Sequence, residues 1–100
     1  MSLQQRVYDT IQKVPKGKVT TYGDIGKKLD TKGYRAIGQV LHKNPTWPEV
    51  PCHRVVMADG SLASNYGMGG PSVHRKRLEA EGVTFIGSKV DMDKFKYNFN

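Results

Sequence analysis

The chain has 100 residues, 37% hydrophobic and 25% charged, with a single cysteine. That length suits one domain with a modest core, and a lone thiol excludes an internal disulfide framework. No apolar stretch approaches the roughly 20 residues that cross a bilayer, and the N-terminal residues lack the apolar block of a signal peptide. The expectation is a soluble protein of a reducing compartment, cytoplasmic, or nuclear in a eukaryote, with no membrane contact. The net charge of +7 is uneven: residues 1–54 hold ten Lys/Arg against four Asp/Glu (+6), residues 55–100 six against five (+1). A basic half points to a polyanionic partner, and nucleic acid is the usual one.

Leu3, Val7, Ile11 and Val14 share one helical face and predict a first helix, stopped by Pro15-Lys16-Gly17-Lys18. Val19-Thr20-Thr21 is too short to predict a core strand, and Thr20 or Thr21 is a candidate N-cap. Tyr22, Ile25 and Leu29 predict a short second helix ending near Asp30. After a turn at Thr31-Lys32-Gly33, Tyr34, Ile37, Val40 and Leu41 predict a third, ending by Asn44-Pro45. Two short helices around a glycine turn form a helix-turn-helix pattern. In DNA-binding versions the second helix meets the duplex; its outer face here would carry Arg35, Gly38, Gln39 and His42. The same pattern also fits an ordinary helical hairpin with a polar outer face.

Residues 44–52, NPTWPEVPC, read as a proline-stiffened connection. Arg54 to Met57 could form a short strand closed by Ala58-Asp59-Gly60. The glycine-rich stretch 61–70 lacks phosphate-loop spacing, which excludes that kind of nucleotide site. Pro71 to Glu81 predicts a last helix, with Ser72 a candidate cap and Gly82 its stop. The tail, residues 83–100, should pack as a small hairpin or strap anchored by Val83, Phe85, Val90, Phe95 and Tyr97. The fold class expected is α+β, mostly helical: a single small domain, residues 1–100, with a winged-helix-like helix-turn-helix.

Cys52, in PCHRVV, is the chemically interesting residue. A zinc site wants paired ligands, and one Cys with His42, His53 and His74 shows no such spacing; no metal is expected. Free cysteine is also commonly a buried filler. As a nucleophile it needs a base held by a third group. His53 is nearest, but neighbours on an extended segment point to opposite faces. A turn set by Pro51, or a bridging water, would be required. Glu79 and Glu81 are both candidates to hold the imidazole.

The motif combination goes further. PCHRVV, with the Asn of NP eight residues before its Cys and the Arg of RAIG nine residues before that Asn, closely resembles the O6-alkylguanine-DNA alkyltransferases. KVPKGKVTTYGDIGKKL and RKRLEAEGV resemble the same family, over roughly residues 3–83. The resemblance implies that Cys52 accepts an alkyl group from O6-alkylguanine in double-stranded DNA, once, without a cofactor. It implies that His53 deprotonates the thiol through a water, Glu81 orients His53, and Asn44 braces the turn. Tyr22 would help rotate the nucleotide and donate to the leaving guanine. Arg35 would fill the gap in the base stack, on a helix whose small residues, Gly38 among them, enter the minor groove beside Gln39. Tyr66 would line the base pocket. A monomer is expected.

The sequence departs from the family pattern in three places. The loop between Gly60 and Glu81 is longer than usual, Gly67 stands where a serine is common, and a lysine common on the last helix near His74 is displaced or replaced. Small size and the tail VDMDKFKY resemble the alkyltransferase-like proteins, which bind alkylated DNA and pass it to excision-repair proteins without transfer. Those usually carry tryptophan where Cys52 stands, so Cys52, His53 and Glu81 together favour transfer.

Overall fold

The first helix, α1 (Leu3–Gln12), starts where Ser2 Oγ accepts the Gln5 backbone N–H at 3.2 Å, satisfying one donor that a helix start leaves open. In this computed structural model, residues 2–42, 51–62 and 70–99 are described. Val7 and Ile11 of α1, and Val14 just beyond it, are fully buried, as their helical phase requires. Beyond the glycine turn, Thr20–Thr21 forms strand β1. Thr21 then caps α2 (Tyr22–Lys28), its Oγ1 accepting the Asp24 N–H at 3.0 Å. Helix α3 (Tyr34–His42) follows.

The α2–α3 turn is tight because Gly26 lets it be. A Cβ there would lie 2.5 Å from Tyr34 Cε1 and 2.8 Å from the Thr31 carbonyl oxygen, closer than packed atoms allow. Arg6 ties the turn to α1 by donating from Nη2 to the Leu29 carbonyl at 2.8 Å, and the Tyr8 hydroxyl donates to the Val40 carbonyl at 3.3 Å. Val7, Ile11, Ile25 and Ile37 meet in a first core, which also takes Cys52 and Val55. Each such aliphatic side chain contributes about 1.5–3 kcal/mol of burial free energy.

After a 3-10 turn at Cys52–Arg54, strand β2 (Val55–Val56) pairs in parallel with β1, Thr20 opposite Val55 and Thr21 opposite Val56. Neighbours on a strand face opposite ways, so Val55 enters the first core and Val56 a second, built with Val19, Leu78, Val83, Val90 and Phe95. Leu78 comes from α4 (Gly70–Ala80). The tail forms a hairpin of β3 (Phe85–Ile86) and β4 (Lys89–Val90), then a one-turn helix α5 (Met92–Phe95). It is strapped to the start of β1 by two backbone bonds: Val19 N–H to the Phe95 carbonyl at 2.9 Å and Tyr97 N–H to the Val19 carbonyl at 2.7 Å. Among the described residues, no helix is long and apolar enough to cross a membrane.

Several expectations need correction. Thr20–Thr21 is a strand after all; two residues suffice because β2, 35 positions away, supplies the partner. Arg54 lies in the 3-10 turn rather than in a strand, since Arg54 N–H bonds back to the Pro51 carbonyl at 3.0 Å. Ser72 sits inside α4, which begins at Gly70, and so is not its cap. The tail is a hairpin as expected, but α5 was not anticipated; of its anchors, Val83, Val90 and Phe95 are buried, while Phe85 and Tyr97 are half-buried.

Candidate active site

The site grows from the seam between the two cores, where the chain enters β2. Pro51 leads into the 3-10 turn, which rotates Cys52, His53 and Arg54 away from the alternation of an extended segment. Cys52 packs into the first core, 6% exposed, with half-buried Tyr22 against the same cluster. His53, 2% exposed, is directed at the C-terminal end of α4.

There Glu81 receives it. His53 Nε2 lies 2.9 Å from Glu81 Oε1. Arg54 grips the same carboxylate with both arms, Nε donating to Oε1 at 2.9 Å and Nη2 to Oε2 at 2.6 Å, while its Nη1 donates to the Val14 carbonyl at 2.9 Å. A two-pronged guanidinium fixes the carboxylate plane as well as its charge. Glu79, the other candidate, is half exposed and pairs with Arg75 at 3.4 Å along α4, so the structure selects Glu81.

The electrostatics follow from burial and these bonds. Burial would raise Glu81, but the hydrogen bonds from Arg54 and His53 outweigh it and hold the carboxyl below its usual range. Burial lowers His53, partly offset by the Glu81 bond and charge, so the imidazole is held below its ordinary value. At neutral pH the pair is therefore carboxylate and neutral imidazole. Glu81 accepts only, which puts the imidazole proton on Nε2 and makes Nδ1 the basic nitrogen. Burial also holds the Tyr22 phenol above its ordinary value, and charge on Cys52 acts in the same direction. Tyr22 therefore stays protonated, a hydrogen-bond donor near the thiol.

Arg35, Gly38 and Gln39 lie together on α3, with Arg35 and Gln39 exposed four residues apart on one face and Gly38 half-buried. A Cβ on Gly38 would sit 3.9 Å from Tyr22 Cε1, so Tyr22 links this face to the Cys52 core. Asn44 and Tyr66, together with Trp47, Gly67 and the lengthened part of the loop, lie outside the described residues.

Sequence reasoning missed two members of the network. Arg54, read only as the start of a short strand, is the second support of Glu81. His74, on α4, is 1% exposed and bonds through Nε2 to the His53 carbonyl at 2.7 Å. Its signal was present: His74 lies four residues before fully buried Leu78, on the face of α4 that must be inside.

A family model described as 6-O-methylguanine DNA methyltransferase, DNA-binding domain, matches residues 2–83. The methylated-DNA–protein-cysteine methyltransferase of Candida glabrata is 42% identical over 97% of this chain and 50% of its own length. The DNA base-flipping protein of Escherichia coli is 36% identical over 98% of this chain and 76% of its own. The solved structure of Schizosaccharomyces pombe alkyltransferase-like protein 1 in complex with damaged DNA containing O6-carboxymethylguanine superposes with a TM-score of 0.82 at 26% identity, covering 99% of this chain and 100% of that one. The chain spans 33% and 50% of the length of two of its curated relatives. Matched by the model over most of its residues, and 36% identical to a relative of which it covers three quarters, the chain belongs to the family of 6-O-methylguanine DNA methyltransferase DNA-binding domains.

Proposed function

We propose that this domain binds double-stranded DNA through the minor groove as a monomer, turns an O6-alkylated guanine out of the stack, and takes its alkyl group onto Cys52. The observation that carries the reading is the Glu81–His53 bond of 2.9 Å beneath the turn that bears Cys52. It is the carboxylate–imidazole half of a triad with sulfur in place of the hydroxyl. His53 Nδ1 takes the thiol proton through a bridging water. The sulfur attacks the O6-bound carbon, the S–C bond forms, and the C–O6 bond breaks with its electron pair going to oxygen. Tyr22 donates to the departing guanine, which leaves as a neutral base once it has gained a proton. The thioether does not hydrolyse, so each molecule acts once and uses no cofactor.

The target carbon is shielded within the duplex, so the nucleotide must be flipped out. Arg35, on the exposed face of α3, fills the gap in the stack; Gly38 permits a close backbone approach and Gln39 flanks it. The basic N-terminal half supplies sequence-independent affinity that falls with salt.

A second reading has its own support. Residues 84–99 lie beyond the matched family domain, yet the whole chain superposes on an alkyltransferase-like protein. On that reading the protein holds the lesion and recruits excision-repair proteins without transfer. Titration with two duplexes differing only in one O6-methylguanine, followed by an assay for restored guanine, separates the readings. Lesion-selective binding with guanine restored in proportion to protein supports transfer; the same binding with the lesion intact supports the second reading.

A further inference from the structure

Helix α4 meets the Cys52–Arg54 turn at two places, seven residues apart and so on one face two helical turns apart. Just past its C-terminal end, Glu81 holds the His53 ring. Near its start, His74 reaches the His53 main chain, Nε2 to carbonyl oxygen at 2.7 Å, with Leu78 buried between them. A carbonyl oxygen only accepts, so His74 Nε2 must carry the proton of this bond.

We propose that His74 is a positioning residue for the nucleophile turn: its Nε2–H fixes the His53 backbone while Glu81 fixes the His53 ring, and the two together aim the imidazole at Cys52. This rests on the proposed role of His53 as the base for the thiol. It assigns work to a side chain whose hydrogen bond goes to the main chain of the base rather than to its ring. Burial supports it by holding His74 down to about 4, with His53 and Arg77 pressing the same way against the opposing bond to the His53 carbonyl. At neutral pH His74 is thus neutral with one proton to place. Without that bond the buried carbonyl loses its partner and the turn can rotate, and misplacing a reacting group by about 1 Å costs on the order of 100-fold in rate.

The first test needs no variant: nitrogen-15 NMR of the intact protein should show His74 as the Nε2–H tautomer at pH 7. The Nδ1–H tautomer would overturn the proposal. The second compares H74Q, whose amide N–H reaches nearly as far as Nε2, with H74L, which has no donor. Two rates are read: iodoacetamide modification of Cys52, the chain's sole cysteine, and methyl transfer at saturating lesion duplex. H74L should slow both by about 10-fold or more with duplex affinity unchanged, and H74Q should recover most of the loss. If H74L reacts like the wild type, or if folded H74Q is as slow as H74L, the positioning role is wrong. If H74L does not fold, H74Q and the tautomer decide. Should the wild type modify readily but accept no methyl group, the transfer reading falls, while the iodoacetamide rates still judge His74.

Discussion

Along α3, Arg35 and Gln39 stand in solvent on a helix whose other side is anchored by fully buried Ile37. At Cys52–Arg54 the reverse holds: Cys52 and His53 are buried, and bonds to Glu81, His74 and the Val14 carbonyl tie His53 and Arg54 to two other parts of the chain. On the proposed function the first region meets the duplex, and its exposed side chains leave the interior little dependent on them. The second holds an imidazole and a carboxylate in fixed charge states because His53 is buried, Glu81 largely so, and each is bonded. Recognition and chemistry should therefore separate under mutation.

The sharpest separation is expected from Cys52→Ala: complete loss of methyl transfer with lesion affinity retained, read by transfer and titration on the same duplex. Loss of both together would break the comparison. Next comes pH. A buried histidine held at about 4 instead of its ordinary 6.5 stabilises the fold fully above pH 6.5, and that contribution is lost as pH falls from 6.5 towards 4, where the unfolded chain binds the proton first. For His74 this amounts to about 3 kcal/mol, with His53 adding in the same direction. Denaturant unfolding at pH 7 and pH 4 should show the loss in the wild type and a smaller one in H74Q; equal losses would contradict it.

Glu81→Gln keeps the shape but removes the charge that faces His53 and Arg54. Transfer should fall by about 100-fold, in the range of a disabled general base. Stability should fall by about 2 kcal/mol, below the value for a fully buried broken ion pair because the site is partly open to water. Stopped reaction time courses and unfolding curves check the two parts. The smallest effect is expected from Arg35→Ala, about 10-fold in lesion affinity with stability changed by less than about 0.5 kcal/mol. Unchanged lesion selectivity would remove Arg35 from the recognition face.

What the sequence revealed follows the same division. Helices α1 to α3 were legible because each repeats an apolar side chain on one face, and α4 because Pro71 and Gly82 bracket it. The β1–β2 pair was not, since two residues carry no period and their partner lies far along the chain. Nor was α5, a single turn held by the strap to Val19. Within the site, Cys52 and His53 were visible as a motif, but the spacing left Glu79 and Glu81 equal. The family resemblance pointed to Glu81, and the end of α4 at Ala80 and the position of Arg54 give the physical reason. Arg54 was hidden because a polar residue that serves a carboxylate looks like any surface residue until its partner is placed; His74 carried only the faint signal of its spacing from Leu78.

The most direct test of the account is the intact mass of the protein after incubation with a duplex carrying one O6-methylguanine. A gain of one methyl group, absent in Cys52→Ala and proportional to lesion consumed, is the expected result. An unchanged mass in a stable complex with that duplex would contradict the account and make the buried Cys–His–Glu arrangement a scaffold for lesion binding alone.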